Sequence, residues 1–317
     1  MKASHFAQDF SSAEIALLSL PATVGGPGFT FIRDKRDNPL ESTKGNYFTL
    51  DAFAASSYFG SRVETSQGYV DTDFGRALAQ NSTYHAFGGK GKAGHQFVFA
   101  RSTTIGLEQP FRGTKVLPPG LSCPLNAAGE PICSNISTIP LPEQFFGGGG
   151  NSLRGFGLNQ AGPRDPSSGF PIGGTALFVN SLELRLPPLT LPVLGEGFGF
   201  AIFHDMGNVF TAQHDMVKGL LRWHQPDPEQ CQMSNGTTNS QCFTQFNNSG
   251  YDFTSHALGV GVRYKTPIGP LRFDFGYNLS PTSYFQGLTF NSTGQPLTFE
   301  TQRLRHFNAF FSIGQPF

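Results

Sequence analysis

The chain has 317 residues, room for one large domain or two ordinary ones, and its 22 Lys and Arg are matched by 22 Asp and Glu. That balance excludes an electrostatic nucleic-acid footprint. Charged residues make up only 14%, while Gly (39) and Phe (33) are heavily used, and a mean hydropathy of -0.22 with no long apolar run excludes a helical membrane protein.

An all-β chain with an apolar outer surface reconciles these values, because alternating strands hide their apolarity from a window average. Residues 1–27 read as an irregular N-terminal segment, compatible with part of a truncated strand. Met1-Lys2 is followed by the apolar Ile15–Leu18. Asp9 and Glu14 stand where a secretory signal is uncharged, so no signal peptide is read here.

Strands are predicted at 28–34, 45–55, 69–86, 95–107, 175–187, 197–210, 254–265, 270–279 and 304–317. The alternation is clearest late in the chain. Leu271, Phe273, Phe275 and Tyr277 share one face, and Arg272, Asp274, Gly276 and Asn278 share the other. Likewise Phe198, Phe200 and Ile202 oppose Gly199, Ala201, Phe203 and Asp205, and Leu258, Val260, Val262 and Tyr264 oppose Ala257, Gly259, Gly261 and Arg263. A soluble sandwich would bury the apolar face and a membrane barrel would turn it to lipid, and the pattern alone fits both.

Connection lengths separate the two. Those near 37–44, 88–94, 188–196 and 266–269 are short, whereas 56–68, 108–174, 211–253 and 280–303 are longer. Short turns on one rim and long loops on the other are the outer-membrane barrel arrangement. Both cysteine pairs, Cys123/Cys133 and Cys231/Cys242, then fall on the long-loop side. Neither has zinc or redox spacing. Two loop disulfides are the preferred reading, with free thiols the alternative.

The 108–174 connection contains Phe145-Phe146-Gly147-Gly148-Gly149-Gly150-Asn151-Ser152-Leu153-Arg154-Gly155-Phe156. Four successive glycines let a backbone turn tightly and approach other atoms. The run lacks the Gly-Lys-Ser/Thr ending of a phosphate loop. His204 and Asp205 are strand neighbours facing opposite ways, the other histidines show no ligand spacing, and no nucleophile elbow occurs. The reading is therefore no enzyme, no metal and no cofactor. The last strand, counted back in twos from Phe317 through Ile313, Phe311 and Phe307, is mostly apolar and ends on an aromatic residue, like the C-terminal signal of bacterial outer-membrane barrels.

Gly148–Phe156 with Ala161-Gly162-Pro163-Arg164-Asp165, then Phe203-His204-Asp205-Met206-Gly207-Asn208, then Thr266-Pro267-Ile268-Gly269-Pro270-Leu271-Arg272-Phe273-Asp274, resemble the C-terminal barrel of the BamA/TamA outer-membrane assembly family, the bacterial surface antigen group. The stretch Arg33-Asp34-Lys35-Arg36-Asp37-Asn38-Pro39 is similar to an earlier hairpin of that barrel. The resemblance covers residues 28–317. It implies a transmembrane antiparallel β-barrel, of which these nine strands would be the C-terminal portion of roughly sixteen. Nine strands leave two unpaired edges, so the chain reads as a truncated one.

The resemblance further implies that the long loop docks in the lumen by Leu153, Arg154, Gly155 and Phe156, with Gly147, Gly148, Gly149 and Gly150 as its approach. Asp205 is the implied partner of Arg154. Independently, alternation puts Asp205 on the face away from Phe198 and Phe200; Asp274 and Glu183 face the same side and are second choices. Phe307, Phe311, Ile313 and Phe317 would form a gate strand. The implied function is outer-membrane protein assembly in the bacterial outer membrane. Its partners would be membrane lipid, unfolded outer-membrane clients and assembly-complex lipoproteins. The alternatives are a translocation or two-partner secretion pore of the same superfamily and, from another class, a passive porin or surface adhesin.

Overall fold

A computed structural model describes residues 21–65, 68–89, 95–112, 139–165, 169–191, 195–231, 242, 245–246, 249–266, 269–290 and 296–314. Among the described residues the strands are β1 (Ala22–Thr23), β2 (Gly28–Asp34), β3 (Gly45–Ala55), β4 (Arg62–Thr65), β5 (Gly68–Asp71), β6 (Asp73–Phe87), β7 (Phe97–Arg112), β8 (Ala176–Arg185), β9 (Leu189–Leu191), β10 (Gly195–Phe210), β11 (Ser255–Tyr264), β12 (Leu271–Asn278), β13 (Ser283–Phe290), β14 (Pro296–Arg303) and β15 (Phe307–Ile313). A short helix, α1, covers Gln213–Gly219. No helix among the described residues is long and apolar enough to cross a membrane.

The main sheet runs β15-β12-β11-β10-β8-β7-β6-β3-β2, nine antiparallel strands each paired with the next of the nine in chain order, and β9 adds to β10 beside this path. These are the nine wall strands expected from alternation. The up-and-down order follows from the short turns, which close adjacent antiparallel strands directly.

Burial decides which way the faces point. On β12, Phe273, Phe275 and Tyr277 are exposed, whereas Arg272, Asp274 and Asn278 are almost fully buried. On β15 every outward residue from Phe307 to Ile313 is exposed, and β10 and β11 expose Phe200, Ile202, Leu258 and Val260. A water-soluble sheet does the reverse. A continuous exposed apolar surface over adjacent strands is the signature of a lipid-facing wall, which makes this an all-β transmembrane sheet.

Several elements lie where the sequence pattern placed loops. The strand β7 continues to Arg112 and β8 starts at Ala176, so the long connection begins five residues later than the alternation suggested. A small sheet β1-β4-β5 stands apart, with Ala22 opposite Val63 and Arg62 opposite Asp71. The β13–β14 hairpin occupies much of the last long connection.

The connection after β10 folds onto that hairpin. A disulfide joins Cys231 and Cys242, with Cα atoms 5.3 Å apart. Beside it Phe246, Tyr251 and Phe285 form a buried cluster whose rings meet edge to face. Burial, reinforced by the nearby Asp215 carboxylate and opposed by Arg222 and Lys218, pushes Asp252 in this cap up to about 7.

Candidate functional site: a loop arginine in an acidic socket

The connection between β7 and β8 is pinned at its base. Phe145 and Gly174 exchange backbone hydrogen bonds of 2.9 and 3.0 Å, and Gly147 bridges Ala161. Gly148 and Gly149 sit at φ values of 107° and 104°, a region that side chains rarely adopt and that glycine enters freely. The tip is then closed on itself by Gly149 N donating to Phe156 O at 3.0 Å and Phe156 N to Leu153 O at 3.0 Å. Leu153 and Phe156 are buried with Phe145, Ala161, Leu177, Val179 and Val209 in one apolar cluster against the inner wall. That cluster carries the hydrophobic part of docking.

Between these anchors Arg154 points into the wall with 1% of its surface exposed. Its Nε and Nη2 donate to the two oxygens of Asp205, each at 2.8 Å, and its own backbone N donates to Asp205 at 3.0 Å. This two-pronged contact is the strong geometry for an arginine and a carboxylate. Nη1 donates to Glu183 Oε2 at 3.0 Å and Nη2 to Ser181 Oγ at 2.9 Å. Asp274 lies at 3.6 Å from Nη1. The guanidinium carbon also stands 3.4 Å from the centre of the Phe203 ring, a favourable cation–π distance.

Register explains why these groups meet. The strand β10 places Asp205 opposite Ser181 and Phe203 opposite Glu183 on β8, and on its other side Phe203 opposite Gly259 on β11. In turn Gly261 lies opposite Asp274 and Gly259 opposite Gly276. Gly276 has to be glycine here, because a Cβ would run into the backbone carbonyl oxygen of Arg154. Gly155 is similarly close to the wall, where its Cβ would lie 2.5 Å from that of Ala257.

Three further wall arginines complete the socket, and none was singled out in the sequence. Arg263 meets Glu183 at 2.6 Å, Arg185 meets Glu183 at 2.8 Å, and Arg272 lies 2.9 Å from Asp274. Arg263 and Arg272 are directly opposite each other on β11 and β12, a like-charge pairing that only the shared acids make tolerable. Their inward orientation was visible in the alternation; their cross-strand heights were not.

The remaining sequence-derived residues are distributed as follows. Gly150 presents its carbonyl to Arg272 Nη2 at 2.7 Å. Phe307, Phe311 and Ile313 are outward on β15, where Phe307 and Phe311 lie beside Phe275 and Phe273. Phe317, Cys123 and Cys133 lie outside the described residues. No group of three metal-ligating side chains occurs among the described residues.

A family model described as the Omp85 superfamily domain matches residues 27–317. Among curated proteins, the outer membrane protein assembly factor BamA of Nitratidesulfovibrio vulgaris is 25% identical over 252 residues, covering 78% of this chain and 22% of that protein. Among solved structures, the crystal structure of BamA from Haemophilus ducreyi lacking POTRA domains 1–3 has a TM-score of 0.50 at 16% identity, covering 90% of this chain and 42% of that one. The chain thus spans under a quarter of the curated relative and under half of the solved one. With a lipid-facing wall of nine strands and a matching domain model over nearly its whole length, the chain belongs to the Omp85 superfamily as an outer-membrane barrel.

Proposed function

We propose that this chain is the barrel of a BamA-type assembly protein, which receives unfolded outer-membrane proteins and helps them insert. The observation that carries the reading is the lumen-docked Arg154 in its buried socket of Asp205, Glu183 and Ser181. A passive pore needs an open lumen. Here the loop tip is bonded to the inner face of the wall, and Arg154 takes up the carboxylate of Asp205. The site performs no covalent chemistry; it keeps one wall of the barrel stiff while the edge strand β15 stays free to pair. The free energy for client insertion would come from burying lipid-facing apolar surface and completing strand hydrogen bonds. Clients and membrane lipid are the partners in this reading, with assembly-complex lipoproteins as further ones.

Vesicles holding the full-length protein should fold an unfolded barrel client faster than protein-free vesicles. Arg154→Ala should lose that gain while still inserting. No acceleration by the wild type, or full acceleration by the variant, would refute the proposal. Ion conductance in the wild type with no client folding would favour the secretion-pore alternative instead.

A further inference from the structure

We propose that Asn308 is a positioning residue that couples the docked loop tip to the edge strand β15; the inference rests on the latch reading above. Among the described residues, β15 pairs with one wall strand, β12. A strand paired on one side only is held in the plane of the sheet by one ladder of hydrogen bonds, and it peels more readily than an interior strand.

The inner face of β15 has a second support. Asn308 Nδ2 donates to the carbonyl of Gly155 at 2.9 Å. One turn of the tip earlier, Gly150 lies so near Phe310 that a Cβ on it would be 3.1 Å from the Phe310 Cβ. Arg272 sits on β12 in register with Ser312 of β15. It donates to Gly150 O at 2.7 Å and to Asn151 Oδ1 at 3.1 Å. Leu304, immediately before β15, packs on the Leu153–Phe156 cluster. The tip therefore straddles the last two wall strands, with Arg272 and Asn308 gripping it from one strand each.

Arg154 is anchored on β10 and β8, three and four strands away from β15. The peptide that follows Arg154 is the one that Asn308 holds. Docking of the arginine and restraint of the edge strand are thus joined through a single residue step, from Arg154 to Gly155. Release of the loop would remove the out-of-plane support of β15 without breaking any strand–strand hydrogen bond. The loop becomes a splint for the edge strand, and Asn308 the tie between them.

The test is amide hydrogen exchange on the full-length protein in vesicles, read separately for Phe307–Ile313, for Leu153–Phe156 and for β8 and β10. Loss of one neutral hydrogen bond should speed exchange in Phe307–Ile313 by about fivefold in Asn308→Ala, with β8 and β10 unchanged. Asn308→Asp, which keeps the shape and removes the donor, should give the same result. Wild-type exchange of β15 in both variants would overturn the inference, as would wild-type behaviour of Asn308→Asp alone, since shape would then suffice. A uniform rise across β8, β10 and β15 would also overturn it, by showing a general packing defect. Arg154→Ala separates the two ideas. It should speed exchange in the tip and in β15 together, and a protected tip in that variant would sink the latch reading itself.

Discussion

Arg154→Lys asks whether the socket recognises a charge or a shape. The lysine keeps the unit charge and most of the stem. It cannot reproduce the planar fork that delivers Nε and Nη2 to Asp205 while Nη1 reaches Glu183 and Nη2 also reaches Ser181. Four side-chain hydrogen bonds, three of them to carboxylates, are made by one rigid group that is 1% exposed. An ammonium placed at Asp205 abandons the Glu183 and Ser181 contacts and the flat face against Phe203. Hydrogen bonds to charged partners contribute about 1.5–3 kcal/mol each. The expected loss is therefore about 2–4 kcal/mol for lysine, against about 3–5 kcal/mol for alanine, which strands the buried acid altogether.

The assay is urea unfolding of the full-length protein in vesicles, followed by the mobility difference between folded and heated barrel on gels. The lysine variant should retain more than half of the alanine defect. A lysine midpoint within about 0.5 kcal/mol of wild type would refute the argument, because a point charge would then serve as well as the fork.

Gly276→Ala should behave as a loop-release variant although it touches no charge. Its methyl group meets the Arg154 carbonyl oxygen, so the tip must shift at a cost of about 1–3 kcal/mol, read as faster proteolysis within residues 145–165; unchanged cleavage would count against the close fit. Glu108→Gln should raise the urea midpoint by about 1–3 kcal/mol equivalent, since both carboxylate oxygens are buried without a partner while the facing Arg76 is engaged by Glu143 at 3.0 Å. A lowered midpoint would show that the wall uses Glu108 as an anion. The loop cap should open more readily as pH rises. Asp252 ordinarily titrates near 3.8 and in the folded cap at about 7, so between these values the folded state holds a proton that the open state releases. Stability of the cap therefore falls as pH climbs toward 7 and levels off above it. Asp252→Asn should flatten that profile in exchange measurements of 249–254, and persistence of the slope would refute the assignment.

The parts of this structure that were legible in the sequence are those governed by a period of two. Alternation in Leu271–Asn278 told which residues shared a face, and the lengths of 88–94 and 266–269 told which strands were neighbours. Asp205 was implied by the family resemblance and supported by face assignment, Glu183 and Asp274 came as second choices from face assignment, and all three stand around Arg154. What a period of two omits is height along the barrel. Whether Arg263 lies beside Glu183 or a turn away depends on stagger across β8, β10 and β11, a sum of two registers that no single strand contains. The β13–β14 hairpin escaped for another reason. Its register shifts between Gly287 and Phe290 break the alternation that would have marked it. Asn308 was read only as part of an apolar terminal strand, and its role depends on a loop tip some 150 residues earlier in the chain, at a separation of 153.

The charge inventory of the socket shows what the loop contributes. Among the described residues, Glu183 is paired by Arg185 and Arg263, and Asp274 by Arg272, all from the wall itself. Asp205 has no wall cation; its own neighbour is the Ser181 hydroxyl. A buried carboxylate without a cation is costly, and the wall cannot relieve it. The loop supplies the missing charge at the one acid left unpaired, and it does so with a bidentate fork. The socket is thus incomplete without the loop, while Glu183 and Asp274 keep cations from the wall itself. An undocked loop leaves a single, localised defect in place of a collapsed wall. That is the arrangement expected of a latch that can open and close without unfolding the barrel around it, and it predicts that Asp205→Asn weakens docking while leaving the Glu183–Arg263 contact in place.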